Sequence, residues 1–249
     1  MLLERKTAVL HGAGGPIGGA VARAFAREGA RVFLTGRTRE PLDAVATDIR
    51  SRGGTADIGV LDALDESDVD AFVDDIAAEA GSVDVSFNLI GFGDVQQPLM
   101  EIDVEDFTRP VATLLRSHFL TTRAAARHMV RRGSGVVLAF GGGGPHTLPN
   151  LGGLKVAFDA LEGLRRQWAC ELGPHGVRVI TVKTGGIPES IPTDFEGREA
   201  IEAQIVAHTL LRRAATLEDV GNAAVFAASD MAAAVTAADI NITCGSVMD

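Results

Sequence analysis

Short runs of apolar and β-branched residues alternate with longer amphipathic segments along the chain. The short runs are almost continuously apolar, which is typical of strands buried on both faces of a parallel sheet. The longer segments repeat their apolar residues at helical spacing. This alternation predicts a doubly wound α/β fold, a Rossmann fold whose seven-stranded parallel sheet is flanked by helices. The predicted strands span 7–12, 30–36, 56–62, 84–91, 135–142, 177–183 and 239–245, and the predicted helices span 17–29, 39–52, 66–80, 105–132, 150–173 and 216–229.

No repeat, low-complexity tract or linker interrupts this pattern, so the 249 residues are expected to form one domain, 1–249. The stretch 184–200 is rich in glycine, proline and charge. Loops of this kind commonly cover sites at the carboxyl ends of parallel strands. We therefore expect a mobile substrate loop at about 184–210.

Composition narrows the function to small-molecule chemistry. The apolar fraction of 46% is enough for a large core, and a net charge of −10 argues against nucleic-acid binding. Cys170 and Cys244 lie far apart, and the acids of 62–75 read as a solvated helix face, so no disulfide or metal site is expected. The first apolar run is too short for a signal peptide or membrane span, so we expect a cytoplasmic protein without membrane partners.

A glycine-rich turn follows the first predicted strand. It contains Gly12, Gly14, Gly15 and Gly18 just before an amphipathic helix. Small residues allow the backbone to approach a pyrophosphate, whose charge the free N–H groups of the helix N-terminus favour. The alternative is a tight turn without a ligand. Its place in the first βαβ unit favours dinucleotide binding.

The end of the second predicted strand indicates which dinucleotide is bound. NAD-selective proteins usually place an acid there for the ribose 2′-hydroxyl, whereas this chain has Gly36 followed by Arg37. A guanidinium can bind a 2′-phosphate with paired hydrogen bonds, and Arg39 is a second cation nearby. NADP(H) is the expected cofactor. The alternative is that Arg37 is an ordinary solvated loop residue.

The turn resembles the Thr-Gly-x-x-x-Gly-x-Gly motif of the short-chain dehydrogenase/reductase superfamily, and the likeness covers almost the whole chain. His11, Gly12, Ile17 and Gly18 stand at motif positions, with Pro16 in place of the middle glycine. Proline is tolerated at the first helical position, although it removes one donor near the pyrophosphate.

The resemblance implies further cofactor contacts and an oligomer. Asp62, followed by Ala63, is similar to the adenine-contacting segment, and Asn88 and Gly91 partly match the Asn-Asn-Ala-Gly stretch. Ile187 stands where the family contacts the nicotinamide amide. Family members are often dimers or tetramers, so a homodimer or homotetramer is expected through helices 105–132 and 150–173. The alanine-rich stretch 121–129 is expected to allow close helix approach.

The family's catalytic group is only partly matched. It reduces carbonyls with a Tyr-x-x-x-Lys pair, a serine and an asparagine. Lys155 matches the lysine, but the tyrosine position is Leu151, and the chain contains no tyrosine. The serine position falls on Gly142 and the asparagine position on Leu114. The resemblance therefore implies an atypical active site.

Lys155 can still fill the lysine's second family role, which is to hold the hydroxyls of the nicotinamide ribose. It stands among apolar residues, and no acidic neighbour is expected beside it. The alternative is a lysine whose stem covers apolar surface while its ammonium reaches water.

Three histidines are further polar candidates. His146 precedes the Lys155 helix and titrates in a range that suits a replacement acid, although a surface loop residue is the more ordinary reading. His118 follows Leu114 by four residues on the same helical face, which is more typical of core or interface than of catalysis. His11 is expected to support the glycine turn.

Three functions fit these features. The first is an NADP(H)-dependent oxidoreductase that reduces a ketone or enoyl small molecule with atypical proton delivery. The second is a cofactor-binding scaffold or regulatory protein without turnover. The third is a cyclase, dehydratase or isomerase that reuses the pocket. The fold alone does not choose among them.

Overall fold

The seven strands form a single parallel sheet in the computed structural model, which describes residues 1–248. Their order is β3-β2-β1-β4-β5-β6-β7, so the order in which the chain adds strands reverses between β1 and β4. In such folds ligands bind at the carboxyl ends of the strands, beside this reversal. The strands are β1 (Thr7–His11), β2 (Arg31–Gly36), β3 (Thr55–Val60), β4 (Val85–Asn88), β5 (Gly135–Gly142), β6 (Val177–Thr184) and β7 (Ala238–Asn241).

Helices cover both faces of the sheet and bury a separate apolar core on each. One core joins the sheet to α1, α2 and α7, and the other joins it to α3, α4 and α5. The predicted seven-stranded parallel sheet flanked by helices is therefore confirmed. The helices are α1 (Pro16–Arg27), α2 (Arg39–Ser51), α3 (Glu66–Ala80), α4 (Val104–Arg132), α5 (Leu154–Leu172), α6 (Arg198–Ala207) and α7 (Leu217–Ala228). Within residues 1–248, no helix is long and apolar enough to cross a membrane.

Local capping explains why α3 and α4 begin and end close to the predicted residues. The Asp65 carboxylate accepts a hydrogen bond from the backbone N–H of Asp68 at 3.0 Å, and Asp103 caps α4 in the same way. Both helices are followed by a glycine in the left-handed region, Gly81 and Gly133, with φ of 77° and 75°. Each cap satisfies backbone groups that the helix ends leave free.

The helix predicted from 150 begins four residues later, at Leu154. Asn150 and Gly152 have φ of 67° and 53°, and this left-handed backbone cannot continue a right-handed helix. Leu151 therefore lies in the turn before α5 rather than on the helix with Lys155.

The segment predicted as a loop has secondary structure of its own. It contains a short 3₁₀ turn, Pro188–Ser190, and then α6, which buries none of its residues. The Glu189 carboxylate accepts a hydrogen bond from the backbone N–H of Leu217 at 2.7 Å. This contact fixes the start of the segment to the first turn of α7.

The alanines predicted to face a partner helix instead face the protein's own core. Ala124, Ala125 and Ala126 are all buried in the core between α4 and the sheet. Ala124 and Ala125 therefore allow α4 to lie close to its own sheet, and the expectation that they allow close approach of a second chain is wrong. The exposed large apolar residues of this helix are Val104, at its first position, and Phe119.

Candidate functional site

The glycine turn lies at the carboxyl end of β1, beside the point where the strand order reverses. Gly12 has a φ of 84°, and a Cβ there would lie 2.6 Å from the carbonyl oxygen of Leu89 in the neighbouring loop. A Cβ at Gly18 would in turn meet the carbonyl oxygen of Gly12. Glycine is therefore required at both positions for the turn, the helix and the loop after β4 to come together.

The N-terminus of α1 opens directly from this turn. Its N-cap is Gly15, which provides no side-chain cap, and Pro16 is its first residue. The backbone N–H groups of the first turn are consequently available to an anion, as at other helix N-termini that bind phosphate. Gly14 has an additional packing role, because a Cβ there would lie 3.0 Å from Cβ of Pro41 in α2. Ile17 is half-buried beside the same turn.

Two exposed guanidiniums stand just beyond β2. Arg37 follows the last residue of the strand, and Arg39 is the first residue of α2. Neither forms an ion pair with another residue of the described chain. An adenosine 2′-phosphate at this place would therefore meet cations that are free to bind it.

Asn88 connects the turn to α4 through both polar atoms of its side chain. Its Nδ2 donates to Oγ1 of Thr121 at 3.1 Å, and its Oδ1 accepts from the backbone N–H of Ile90 at 3.1 Å. Through these two hydrogen bonds Asn88 supports the loop that carries Gly91. Asp62 is exposed after β3 and accepts a hydrogen bond from the backbone N–H of Leu64 at 3.0 Å.

The remaining predicted cofactor residues lie at the same edge of the sheet. Ala63 is buried next to Asp62, and Ile187 is buried three residues after the end of β6, directly before the 3₁₀ turn.

Lys155 is the second residue of α5 and has an acidic partner. Its Nζ forms an ion pair with the carboxylate of Asp159, one helical turn later. The expectation that it lacks an acidic neighbour is therefore wrong, and the spacing of four residues is the reason. Its stem lies over the end of β5, with Cδ 3.8 Å from the position that a Cβ on Gly143 would take.

The space beside Gly142 is filled by an aromatic ring. A Cβ on Gly142 would lie 2.8 Å from Cε2 of Phe158 and 3.3 Å from the carbonyl oxygen of Thr184. Phe158 also packs edge-to-face on Phe92, with ring centroids 5.7 Å apart. A side chain at position 142 would therefore have to displace Phe158.

Leu114 belongs to the same apolar cluster. It is 1% exposed and packs in a small core with Ala139, Ala157 and Leu161, against which Phe92 and Phe158 are placed. Leu151 is half-buried in the turn before α5. The positions predicted to replace the family's asparagine and serine thus lie on or against an apolar surface.

His11 and His118 lie buried beneath this site. Nδ1 of His118 donates to the carbonyl oxygen of Leu114 at 2.9 Å, and Nδ1 of His11 lies 3.1 Å from Oγ1 of Thr35. Nε2 of each imidazole has no hydrogen-bond partner in the described chain. Burial lowers the pKa of His118 to about 4, and burial together with repulsion from His118 lowers the pKa of His11 to about 3. Both are consequently neutral near pH 7 and do not supply a proton there.

His146 is exposed in the loop between β5 and α5. Across residues 1–248 no three His, Cys, Asp or Glu side chains are grouped to hold a metal ion.

The sequence pattern did not indicate that the C-terminal segment borders this site. A Cβ on Gly144 would meet the side chain of Val247, and a Cβ on Gly185 would meet that of Ser246. Residues 243–248 therefore lie against the loops that follow β5 and β6. No local signal could have shown this, because the contacts join residues about 60 to 100 positions apart in the sequence.

The sheet order and the glycine turn define a class, the doubly wound dinucleotide-binding proteins. Residues 12–246 match the family model described as enoyl-(acyl carrier protein) reductase. The chain is 31% identical over 244 residues to the uncharacterized oxidoreductase YxbG of Bacillus subtilis (strain 168), covering 96% of this chain and 89% of the relative. It is 32% identical over 245 residues to the cis-4-hydroxycyclohexanecarboxylate dehydrogenase of Sinomonas cyclohexanicum, covering 96% of each.

A solved structure is similarly close. A 7α-hydroxysteroid dehydrogenase in complex with NADH and 7-oxo glycochenodeoxycholic acid superposes with a TM-score of 0.87 and 28% identity, covering 99% of this chain and 96% of that one. The chain belongs to the short-chain dehydrogenase/reductase superfamily, a family of nicotinamide-dependent oxidoreductases.

Proposed function

We propose that this protein is an NADP(H)-dependent oxidoreductase that acts on an apolar small molecule without a side-chain acid at the reacting atoms. The observation that carries the proposal is a contrast within one site. The nucleotide side keeps its glycine turn and two unpaired guanidiniums, whereas the substrate side is an apolar cluster.

The residues on the nucleotide side fit NADP(H). Gly12 and Gly18 leave backbone where a side chain would intrude, and the uncapped start of α1 can bind the pyrophosphate. Arg37 and Arg39 would hold the 2′-phosphate, since the residue directly after β2 is Arg37 rather than an acid. When bound, NADP(H) supplies or accepts a hydride. Lys155 would hold the ribose hydroxyls, sharing its ammonium with Asp159.

The residues on the substrate side favour a reaction that asks little of an acid. Phe92, Leu114 and Phe158 present an apolar surface without a proton donor. Reduction of a ketone places negative charge on oxygen, which a positioned acid normally neutralises with a rate gain of about 10²–10⁴. In an alkene conjugated to a carbonyl the charge is spread over several atoms, and water can return the proton to carbon. An activated alkene is therefore the favoured substrate, with a stabilised ketone second.

A matched pair of substrates tests this proposal. NADPH consumption is followed with an α,β-unsaturated ketone and with its saturated counterpart, each under saturating NADPH. We expect the unsaturated compound to be consumed faster, with hydride delivered to carbon rather than to oxygen. Equal rates, or an alcohol as the product from both, would contradict the absence of an acid.

A second candidate is a cofactor-binding protein without turnover. Two observations favour it: Asp159 already neutralises Lys155, and Phe158 fills the space beside Gly142. In that case NADPH would bind stoichiometrically and remain unoxidised with every member of a ketone and enone panel.

We also propose a homo-oligomer built on the outer faces of α4 and α5. Phe119 is 42% exposed there, and its ring centroid lies 5.7 Å from that of Trp168. An open groove of about 410 Å³ continues the patch between the helices. An aromatic pair of which one ring is exposed and the other half-buried, beside such a groove, is typical of an interface. The groove is lined by Arg123, Ala126, Arg127, Val130, Arg131 and Trp168.

A further inference from the structure

Exposed apolar side chains are concentrated in the three segments that follow β4, β5 and β6. These segments all begin at the carboxyl edge of the sheet, and Phe92 of the first one packs on Phe158 of the apolar cluster. Large apolar residues on a surface of this kind mark a binding site when they are contiguous. Seven of them are more than half exposed: Leu99, Met100, Val104, Leu148, Phe195, Leu210 and Leu211.

Contacts between the segments make them one rim, which we call the mouth. The backbone N–H of Gly152 donates to the carbonyl oxygen of Gln97 at 3.2 Å, which joins the first segment to the second. A Cβ on Gly144 would meet Val247, which joins the second to the C-terminal residues. The backbone N–H of Leu211 donates to the carbonyl oxygen of Cys244 at 3.1 Å, which joins those residues to the third.

The charged residues of the mouth are predominantly acidic. Residues 89–110 and 185–213 together carry ten Asp and Glu residues against four Arg residues, and residues 143–153 carry no Asp, Glu, Lys or Arg. Two of the four guanidiniums are already paired, Arg109 with Asp106 and Arg213 with Asp219. The field at the mouth is therefore negative, in contrast to the unpaired Arg37 and Arg39 at the nucleotide end.

We propose that the mouth admits free, uncharged apolar substrates and discriminates against acyl groups carried on a phosphopantetheine arm. Such an arm bears phosphate, and its acyl group can reach the cluster only if the anionic part lies against the acidic rim. A field of one sign changes the encounter rate of a charged ligand by about 10–10³-fold. This inference rests on the proposed function and narrows its substrate class. It departs from the carrier-linked substrate that the matching family model's description names.

Two thioesters of the same enoyl chain separate the apolar contribution from the charge. Trans-2-octenoyl-N-acetylcysteamine is neutral, and trans-2-octenoyl-CoA carries phosphates. Each is titrated by calorimetry into the full-length protein saturated with NADP⁺. We expect the neutral thioester to bind at least about tenfold more tightly at low salt, because only the CoA thioester meets the field of the mouth. The ratio is expected to shrink as salt screens the rim, since the Debye length falls to about 10 Å at 0.1 M.

Charge-reversal variants locate the effect. The double variant Glu101→Lys/Glu105→Lys changes the mouth by four charges, and Glu4→Lys/Asp75→Lys changes exposed positions elsewhere by the same amount. We expect the first variant to tighten CoA-thioester binding several-fold and to leave the neutral thioester unchanged. The second variant should have a much smaller effect, although the net charge is identical.

Each remaining outcome overturns the inference. One such outcome is a CoA thioester that binds as tightly as the neutral thioester or more tightly. The others are equal changes of CoA-thioester affinity in the two double variants, and a failure of both thioesters to bind. NADPH consumption with the neutral thioester is measured in parallel. Binding with the expected preference but without consumption would overturn the proposed function and leave the selectivity of the mouth intact.

Discussion

The buried histidines make stability depend on pH in a way that one substitution can isolate. The pKa of His118 is lowered from 6.5 to about 4 and that of His11 to about 3, chiefly by burial. In the unfolded chain both imidazoles take up protons as the pH falls below about 6.5. The unfolded state then binds more protons than the folded state. Stability is therefore complete above about pH 7.5 and is lost as the pH falls toward the two folded-state pKa values.

The size of the loss follows from these shifts. Each histidine removes about 1.4 kcal/mol of unfolding free energy at pH 5.5 and about 2 kcal/mol at pH 5, relative to pH 8. The pair together removes about 4 kcal/mol at pH 5, a large part of the 5–15 kcal/mol that is typical of a folded domain. The substitution His118→Gln removes one titrating group and keeps a polar side chain. We expect it to halve the contribution of the pair, so that the variant loses about 2 kcal/mol less than wild type between pH 8 and pH 5.

Urea unfolding at pH 8, 6.5, 5.5 and 5 measures the loss of unfolding free energy for each protein. Because each loss is taken relative to the same protein at pH 8, the comparison does not depend on how stable the two proteins are at pH 8. His146→Gln is the matched control, because His146 is an exposed imidazole in a loop. It should lose as much stability as wild type over the same range. A His118→Gln protein whose stability falls in parallel with wild type would show that this imidazole is not held neutral by burial.

Three further predictions concern the cofactor, the site and the assembly. The protein should bind NADPH more tightly than NADH by calorimetry, and Arg37→Ala should remove about 1.5–3 kcal/mol of the NADPH binding free energy. Equal affinities for the two cofactors, unchanged in the variant, would contradict the proposal that Arg37 binds the 2′-phosphate. Gly142→Ser should lower the unfolding free energy by about 1–3 kcal/mol through overpacking against Phe158, and by clearly less in a Phe158→Leu background; equal losses in both backgrounds would refute that contact. Light scattering should give a mass that is a multiple of 26.0 kDa, and Phe119→Glu should lower that mass. A concentration-independent mass of 26.0 kDa for wild type would exclude the proposed interface around Phe119 and Trp168.

The fold could be predicted because its determinants are local. Apolar periodicity marks the strands and helices, and the caps at Asp65 and Gly81 place helix ends within a residue or two of the pattern. The start of α5 was predicted wrongly because an amphipathic pattern continues through residues 150–153, while the left-handed backbone at Asn150 interrupts the helix.

The site could be predicted only where its residues are close in sequence. The turn at Gly12 and the cations at Arg37 follow directly from strand ends. The pairing of Lys155 with Asp159 could also have been predicted from the sequence, since the two are four residues apart on one helix. The sequence could not predict that Phe158 fills the space beside Gly142, because this contact depends on how α5 packs against β5.

The order of the strands places substitutions that would change the cofactor and substitutions that would change the substrate on opposite sides of the sheet. Arg37 and Arg39, which we propose select NADP(H), lie on the β1 to β3 side of the reversal in strand order, and the mouth lies on the β4 to β7 side. Substitutions at distant, independent positions usually combine additively. If Arg37 selects the reductant as proposed, a lineage carrying this fold can therefore acquire a new substrate through the loops after β4 and β6 and keep its reductant, and it can exchange the reductant without disturbing the substrate.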